Sequence, residues 1–288
     1  MKNNIAKKEG LSSSRIPEEN TSNVYHFLAL LNITGGVEPI MDIATALARK
    51  HAGKIIAKNF MLLPLKKPSG SGLCFTEDPL KNPWIASKYS SHDLYVQSSL
   101  ALSYDRKKAV IDTIVEENID FVIGGFQGYL DIYKNLTKAL AHIPTDTMCL
   151  RFPPDKKIVD YGRILVPLLD GIHTPLAVDI AEDLATTFEQ KLAILYQSRP
   201  RIYEEKWGQI MNRLETKGSS MRVERIVLRQ NSIISGILKE LKGDTWLILP
   251  AYRPSWWARL RTGNKQRSLL KEIIRCSYMP IMIISKSQ

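Results

Sequence analysis

Phe27-Leu28-Ala29-Leu30-Leu31 leads to a helix reading Ile43-Ala44-Thr45-Ala46-Leu47-Ala48, and Ile164-Leu165-Val166-Pro167-Leu168 leads to Ile180-Ala181-Glu182-Asp183-Leu184-Ala185. Strand and helix both recur 137 residues later, with no gap between them. An ungapped repeat near half the chain length predicts two copies of one fold. A site is therefore argued copy by copy, because one copy can keep what the other loses.

Working outward, strands are expected over 25–31, 54–63, 94–102, 121–123 and 148–152 of the first copy. Helices are expected around Ile40, Ile43, Ala44 and Leu47, over 106–118 and over 130–141. Gly53 reads as the stop of the first helix. Val110, Ile111, Ile114 and Val115 are expected to face inward from the next. Residues 65–92 hold Pro68, Gly70, Gly72, Pro79 and Pro83 and read as a long loop with a short helix near Trp84. Pro153-Pro154-Asp155 is the linker candidate, because paired prolines continue neither element.

The second copy repeats the alternation, with strands over 163–168, 192–196, 221–228, 246–249 and 281–284. Thr174 is a candidate N-cap with Pro175 behind it. Leu176, Ile180, Leu184 and Phe188 form that helix's apolar stripe. Further helices are expected over 203–214, 232–241 and 268–276. Short apolar strands alternating with helices predict an α/β fold: two doubly wound domains, each a mostly parallel five-stranded sheet covered on both faces. The expected boundaries are a disordered lead-in over 1–23, domains over 24–152 and 161–287, and a linker over 153–160.

The composition narrows function by exclusion. Forty Lys and Arg against 29 Asp and Glu give a net charge of +11, yet no nucleic-acid-binding motif accompanies the charge. It reads as a solvated basic surface, or as a basic face for an anionic membrane, phosphate or acidic partner. Cys74, Cys149 and Cys276 lie far apart, which fits a reducing compartment and no cysteine-based zinc site. No apolar run approaches the ~20 residues of a membrane span, and residues 1–23 lack the apolar core of a signal peptide. The expectation is a cytoplasmic protein, with a membrane-peripheral position left open.

Ligands of such sheets bind where strands end and helices begin. There the first copy has Gly125-Phe126-Gln127-Gly128, and the second has Pro250-Ala251-Tyr252-Arg253, nine residues, then Gly263-Asn264-Lys265. With these motifs the chain resembles the universal stress protein family in its tandem form, over about 24–287. The resemblance implies an Asp-Gly after the first strand, and after the fourth a Gly-x-x-Gly followed at the same gap by Gly-Ser or Gly-Thr. Glycines let backbone approach phosphate, and helix N-terminal amides hold it.

Neither copy carries that signature whole. The repeat register puts Leu169 where the family has Asp, with Asp170-Gly171 one residue late, and Asn32 at the same place in the first copy. Asp170 is also ordinary turn chemistry. Gly125 and Gly128 lack the later half of the motif, and read alternatively as a chain reversal with φ above zero. Gly263, Asn264 and Lys265 keep the spacing and could seat a phosphate or simply cap a helix, but Pro250 and Arg253 replace the early glycines.

The neighbouring segment holds Arg253, Trp256, Trp257, Arg259 and Arg261. Trp and Arg together suit a protein contact, a lipid headgroup layer or the filling of a vacated crevice. Walker A, HExxH and GxSxG motifs are absent, and the five histidines show no metal-ligand spacing. His173 near Asp170 reads as a solvated turn residue, and Glu116-Glu117 as a solvated helix end.

The expected function is a non-enzymatic, stress-associated regulatory protein with degenerate nucleotide sites, no catalytic residue, no metal and no required cofactor. Its expected partner is another protein or its own second copy, paired as an internal pseudo-dimer. The resemblance also implies association through sheet edges or domain faces. A second reading is an accessory module of a membrane transporter. Related domains extend amino-acid permeases and cation–proton antiporters, and the turn from Leu168 to Leu176 resembles theirs. A third reading is a domain that binds ATP and hydrolyses it slowly.

Overall fold

The computed structural model describes residues 24–31, 37–62, 83–125, 143–153, 156–169, 172–197, 202–216, 222–228, 233–241, 243–251, 273 and 279–287. The first copy supplies β1 (His26–Leu31), α1 (Val37–Lys50), β2 (Lys54–Leu62), α2 (Pro83–Tyr89), β3 (Val96–Ser103), α3 (Arg106–Glu116), β4 (Phe121–Gly125) and β5 (Asp146–Arg151). The second supplies β6 (Arg163–Pro167), α4 (Thr174–Thr187), β7 (Lys191–Gln197), α5 (Ile202–Thr216), β8 (Val223–Leu228), α6 (Ile233–Glu240), β9 (Thr245–Pro250) and β10 (Ile281–Ser285). The expected helices over 130–141 and 268–276 fall mainly outside the described residues.

All ten strands join one sheet in the order β3-β2-β1-β4-β5-β10-β9-β6-β7-β8. Read from either edge inward, the order is the same. Pairing within each copy is parallel, and β5 meets β10 antiparallel, with Cys149 opposite Ile283 at the middle of the seam. The copies are thus two halves of one continuous sheet. Side chains alternate across it: Phe27, Ala29 and Leu31 enter the same core as Ile164 and Val166. Leu28 faces α3 with Val110 and Ile114, and Leu165 faces α6 with Ile237. The first of these cores spans both copies, because α1 and α4 lie side by side over the seam.

The repeat extends to the helix ends. α1 and α4 have the same length, 14 residues, with bounds at matching positions. Each is followed by a residue in the left-handed region, Ala52 (φ 48°) and Glu189 (φ 54°). The next amide folds back on the last turn, Gly53 to the Ala48 carbonyl at 2.7 Å and Gln190 to that of Ala185 at 2.9 Å. Gly53, expected as the stop of the helix, follows the left-handed residue and is not itself left-handed. Its lack of a side chain answers a close approach: a Cβ there would lie 2.5 Å from the Tyr25 carbonyl oxygen.

Two further expectations are corrected by packing. Val115 is 67% exposed, since α3 turns Val110, Thr113 and Ile114 to the sheet instead. Thr174 is the first helical residue of α4 rather than its cap. His173 occupies the cap position, and the Thr174 hydroxyl donates to the Leu169 carbonyl. α3 is capped by Asp105, whose carboxylate accepts from the Lys108 amide at 3.1 Å.

Where α1 meets α4, His51 Nε2 lies 3.0 Å from Asp183 Oδ2. Burial raises the Asp183 pKa above the ordinary carboxylate value, against the pull of His51 and Lys50. A carboxyl raised in the folded state binds its proton more tightly there than when unfolded. Its contribution to stability therefore grows as pH falls through the folded pKa, and levels off below the unfolded value. Denaturant titrations of wild type and Asp183→Asn should show their stability difference moving in favour of wild type across that interval. A constant difference would refute the assignment.

Candidate functional site

The candidate crevice lies at the C-terminal ends of the parallel strands β1 and β4, or β6 and β9, beside the starts of α1 and α4. In the first copy β4 stays extended to its last residue, with Gly124 opposite Cys149 and Gly125 opposite Leu150. Gly125 does not adopt the left-handed conformation, so the expected chain reversal is not located there. Its missing side chain instead admits Ile40 from the first turn of α1: an added Cβ would lie 2.9 Å from Ile40 Cδ1. The motif comparison singled out Gly125 but missed Ile40, which the spacing of α1 marked only as core.

In the second copy the corresponding place is apolar. Leu168 extends the β6 ladder by donating to the Leu195 carbonyl at 2.8 Å. Leu169, at the position the resemblance gives to Asp, is 9% exposed. Pro250 is a buried member of β9 opposite Ile284, and the Ala251 amide donates to the Ile284 carbonyl at 2.6 Å. The amide after Pro250 is thereby committed to the sheet.

His173 overturns its expectation most clearly. It is 2% exposed, and its Nδ1 accepts the Lys286 amide at 2.8 Å. With Nδ1 as acceptor, the neutral ring carries its proton on Nε2. The ring fastens the start of α4 to the residue following β10. No local signal in the sequence marks it, because the group that pairs with it lies 113 residues away. At the same end of the seam, Ser287 donates from both its amide (2.7 Å) and its hydroxyl (3.0 Å) to Asp146 Oδ1. The Tyr25 phenol, half-buried and near Asp146 and Asp120, is pushed up to about 12. Cys149 is pushed up to about 12 by burial, which leaves it a protonated core thiol with no nucleophilic character.

Glu117 belongs to structure more than to a solvated face. Its carbonyl meets His26 Nδ1 at 2.8 Å, and its carboxylate lies 3.8 Å from Lys58 Nζ. Asp170, Gly128, Gly263, Asn264 and Lys265 lie outside the described residues, as do Arg253, Trp256, Trp257, Arg259 and Arg261. Of the proposed nucleotide residues the structure describes Gly125 alone. Among the described residues no group of three His, Cys, Asp or Glu could hold a metal ion. None of the described helices is long and apolar enough to cross a membrane.

Similar architectures exist among solved structures. A universal stress protein from Archaeoglobus fulgidus DSM 4304 aligns with a TM-score of 0.59 at 13% identity, covering 91% of this chain and 97% of that one. A putative universal stress protein from Pseudomonas aeruginosa UCBPP-PA14 gives 0.57 at 12%, covering 92% and 94%. The cytoplasmic domain of a prokaryotic cation chloride cotransporter gives 0.58 at 12%, covering 92% and 96%. No family model and no curated protein matches the sequence. At these identities the likeness concerns the fold, and the fold is like that of the universal stress proteins.

Proposed function

We propose that this chain is a non-enzymatic regulatory protein, a tandem universal-stress-protein-like fold whose nucleotide sites have degenerated. The observation that carries this reading is Leu169, an apolar and nearly buried side chain where a nucleotide-binding relative would place a carboxylate. A ribose or Mg²⁺-bound phosphate gains nothing from a leucine, and a buried leucine cannot be displaced without exposing its apolar area. Pro250 has no amide to donate to a phosphate, and the next amide is spent on Ile284. Ile40 packs against Gly125, so an apolar side chain borders the one described glycine of the first copy's motif. What remains, among the described residues, is a ten-stranded sheet whose edges and faces are suited to binding partners.

Titration calorimetry of the purified protein with ATP and Mg²⁺ should give no binding heat at millimolar nucleotide, and no thermal shift. A saturable heat, or nucleotide recovered from the purified protein, would overturn the reading.

A second reading is favoured by one observation, the likeness to a cotransporter's cytoplasmic domain over nearly the whole chain. The chain would then act as a cytoplasmic module on a membrane transporter, with its basic excess toward the partner or the lipid surface. Co-purification with a transporter encoded beside its gene would support this reading. A gene with no transporter neighbour would count against it.

A further inference from the structure

The two outer edges of the sheet are unlike. β8 carries Glu224 and Arg225 and follows Arg222; its Glu224 is 3.0 Å from Arg163. Charges of this kind are how proteins discourage an edge from pairing. β3, at the opposite edge, reads Val-Gln-Ser-Ser-Leu-Ala-Leu-Ser, and the uncharged stretch runs from Leu94 to Tyr104. It contains no proline. Tyr95 is 63% exposed and Tyr104 is 65% exposed, with Leu102 exposed between them.

The backbone of β3 can be assigned residue by residue. Ile55 pairs with Val96, and its amide donates to the Tyr95 carbonyl at 3.0 Å. In a parallel ladder this turns the main-chain groups of Tyr95, Gln97, Ser99 and Ala101 toward β2. Those of Val96, Ser98, Leu100 and Leu102 point outward, and no described strand pairs with them.

We propose that this edge binds a second copy of the chain, β3 against β3 in antiparallel order, giving a two-fold dimer with a continuous sheet. A two-fold axis normal to the sheet requires opposed residues to point to one face, so a residue of β3 must sit opposite itself. With Leu100 on the axis, Ser98 meets Leu102 of the second copy. These are outward-facing positions, so each pair exchanges both main-chain hydrogen bonds. The same register brings Asp93 toward Lys107 of the second copy, whereas placing Ser99 on the axis would set Asp93 against Asp105. Charge selects the first. The molecule already uses this geometry at its centre, where Cys149 of β5 faces Ile283, its counterpart in β10.

The test is sedimentation velocity on the full chain, from low to high micromolar protein, with two variants whose folding is checked by thermal unfolding. Ser98→Pro removes an outward amide without touching the β2 ladder. Leu102→Lys places a charge on an exposed site. Wild type should pass from monomer to dimer over this range, and each variant should weaken dimerisation by at least about tenfold, or 1.4 kcal/mol. Monomeric wild type throughout, or a dimer that survives both substitutions or responds only to Val227→Lys on β8, would overturn the proposal.

Discussion

Gln190→Met should destabilise the protein by about 2–6 kcal/mol, because the Trp246 indole and the Tyr161 carbonyl lose their buried partner at once. The Gln190 side-chain amide donates to the Ile158 carbonyl at 3.0 Å and to the Tyr161 carbonyl at 2.6 Å, and its oxygen accepts the Trp246 indole at 2.7 Å. All of this lies in the shared core. Phe152 and Phe188 stand edge-on to the Trp246 ring, and Phe152 meets Tyr161 in the same way. Methionine has nearly the same length and fills the space, so packing does not confound the measurement. What remains is an unpaired indole N–H and the unpaired Tyr161 carbonyl, each costing about 1–3 kcal/mol in a dry interior, while the Ile158 carbonyl keeps the Tyr161 amide at 3.2 Å.

Chemical denaturation should show a lower midpoint with an unchanged slope. Trp246→Phe removes one of the orphaned groups, so the double variant should be more stable than the sum of the single losses predicts. Additive losses would refute the network. The position also explains how the two copies are held: Gln190 joins the end of α4, the turn at Ile158–Asp160 and β9. A loss here loosens the turn that leads into the second copy along with the shared core.

The sequence made the alternation of strands and helices legible because short apolar runs and helical spacing are local signals. Thus α1, α4 and the edges of most strands fall within two residues of their expected places. Long-range closeness was not legible. His173 looked like a turn residue because its neighbours Ile172 and Thr174 carry no periodic signal, yet the Lys286 amide, far away in sequence, buries it. Val115 looked inward because it sits one step from Ile114, and a rotation of α3 settles such a choice. The candidate site was readable as a departure from a motif, residue against residue. What fills the departure, Ile40 beside Gly125 and the nearly buried Leu169, needed the fold, since neither residue type is unusual in its own segment.

Gly53→Ala should cost about 2–3 kcal/mol, large for a single methyl group, because the added carbon has nowhere to go. It would stand 2.5 Å from the Tyr25 carbonyl oxygen and 2.8 Å from Phe27 Cε2. That carbonyl is fixed by accepting the Lys54 amide at 2.9 Å, which opens the β1–β2 ladder. Phe27 is locked among Tyr25, Phe121 and His51, with ring centroids 4.9, 6.0 and 6.4 Å away. Restricting the unfolded chain returns at most about 1 kcal/mol, too little to reverse the sign. At about 2–4 °C per kcal/mol for a chain of this size, scanning calorimetry should find a clear fall in Tm. An unchanged or raised Tm would show that the strand and helix end can separate. Ala52→Gly beside it is the control: that residue is left-handed, so glycine there should be tolerated or favourable. In the repeat register Gly53 corresponds to Gln190, and Tyr25 to Gly162. The first copy fills the space beneath its helix end from the strand, by Tyr25 and Phe27. The second leaves the strand bare at Gly162 and fills the space from the helix end, by Gln190. Exchanging one member of either pair alone should fail, since each copy has its bulk on one side of the same gap.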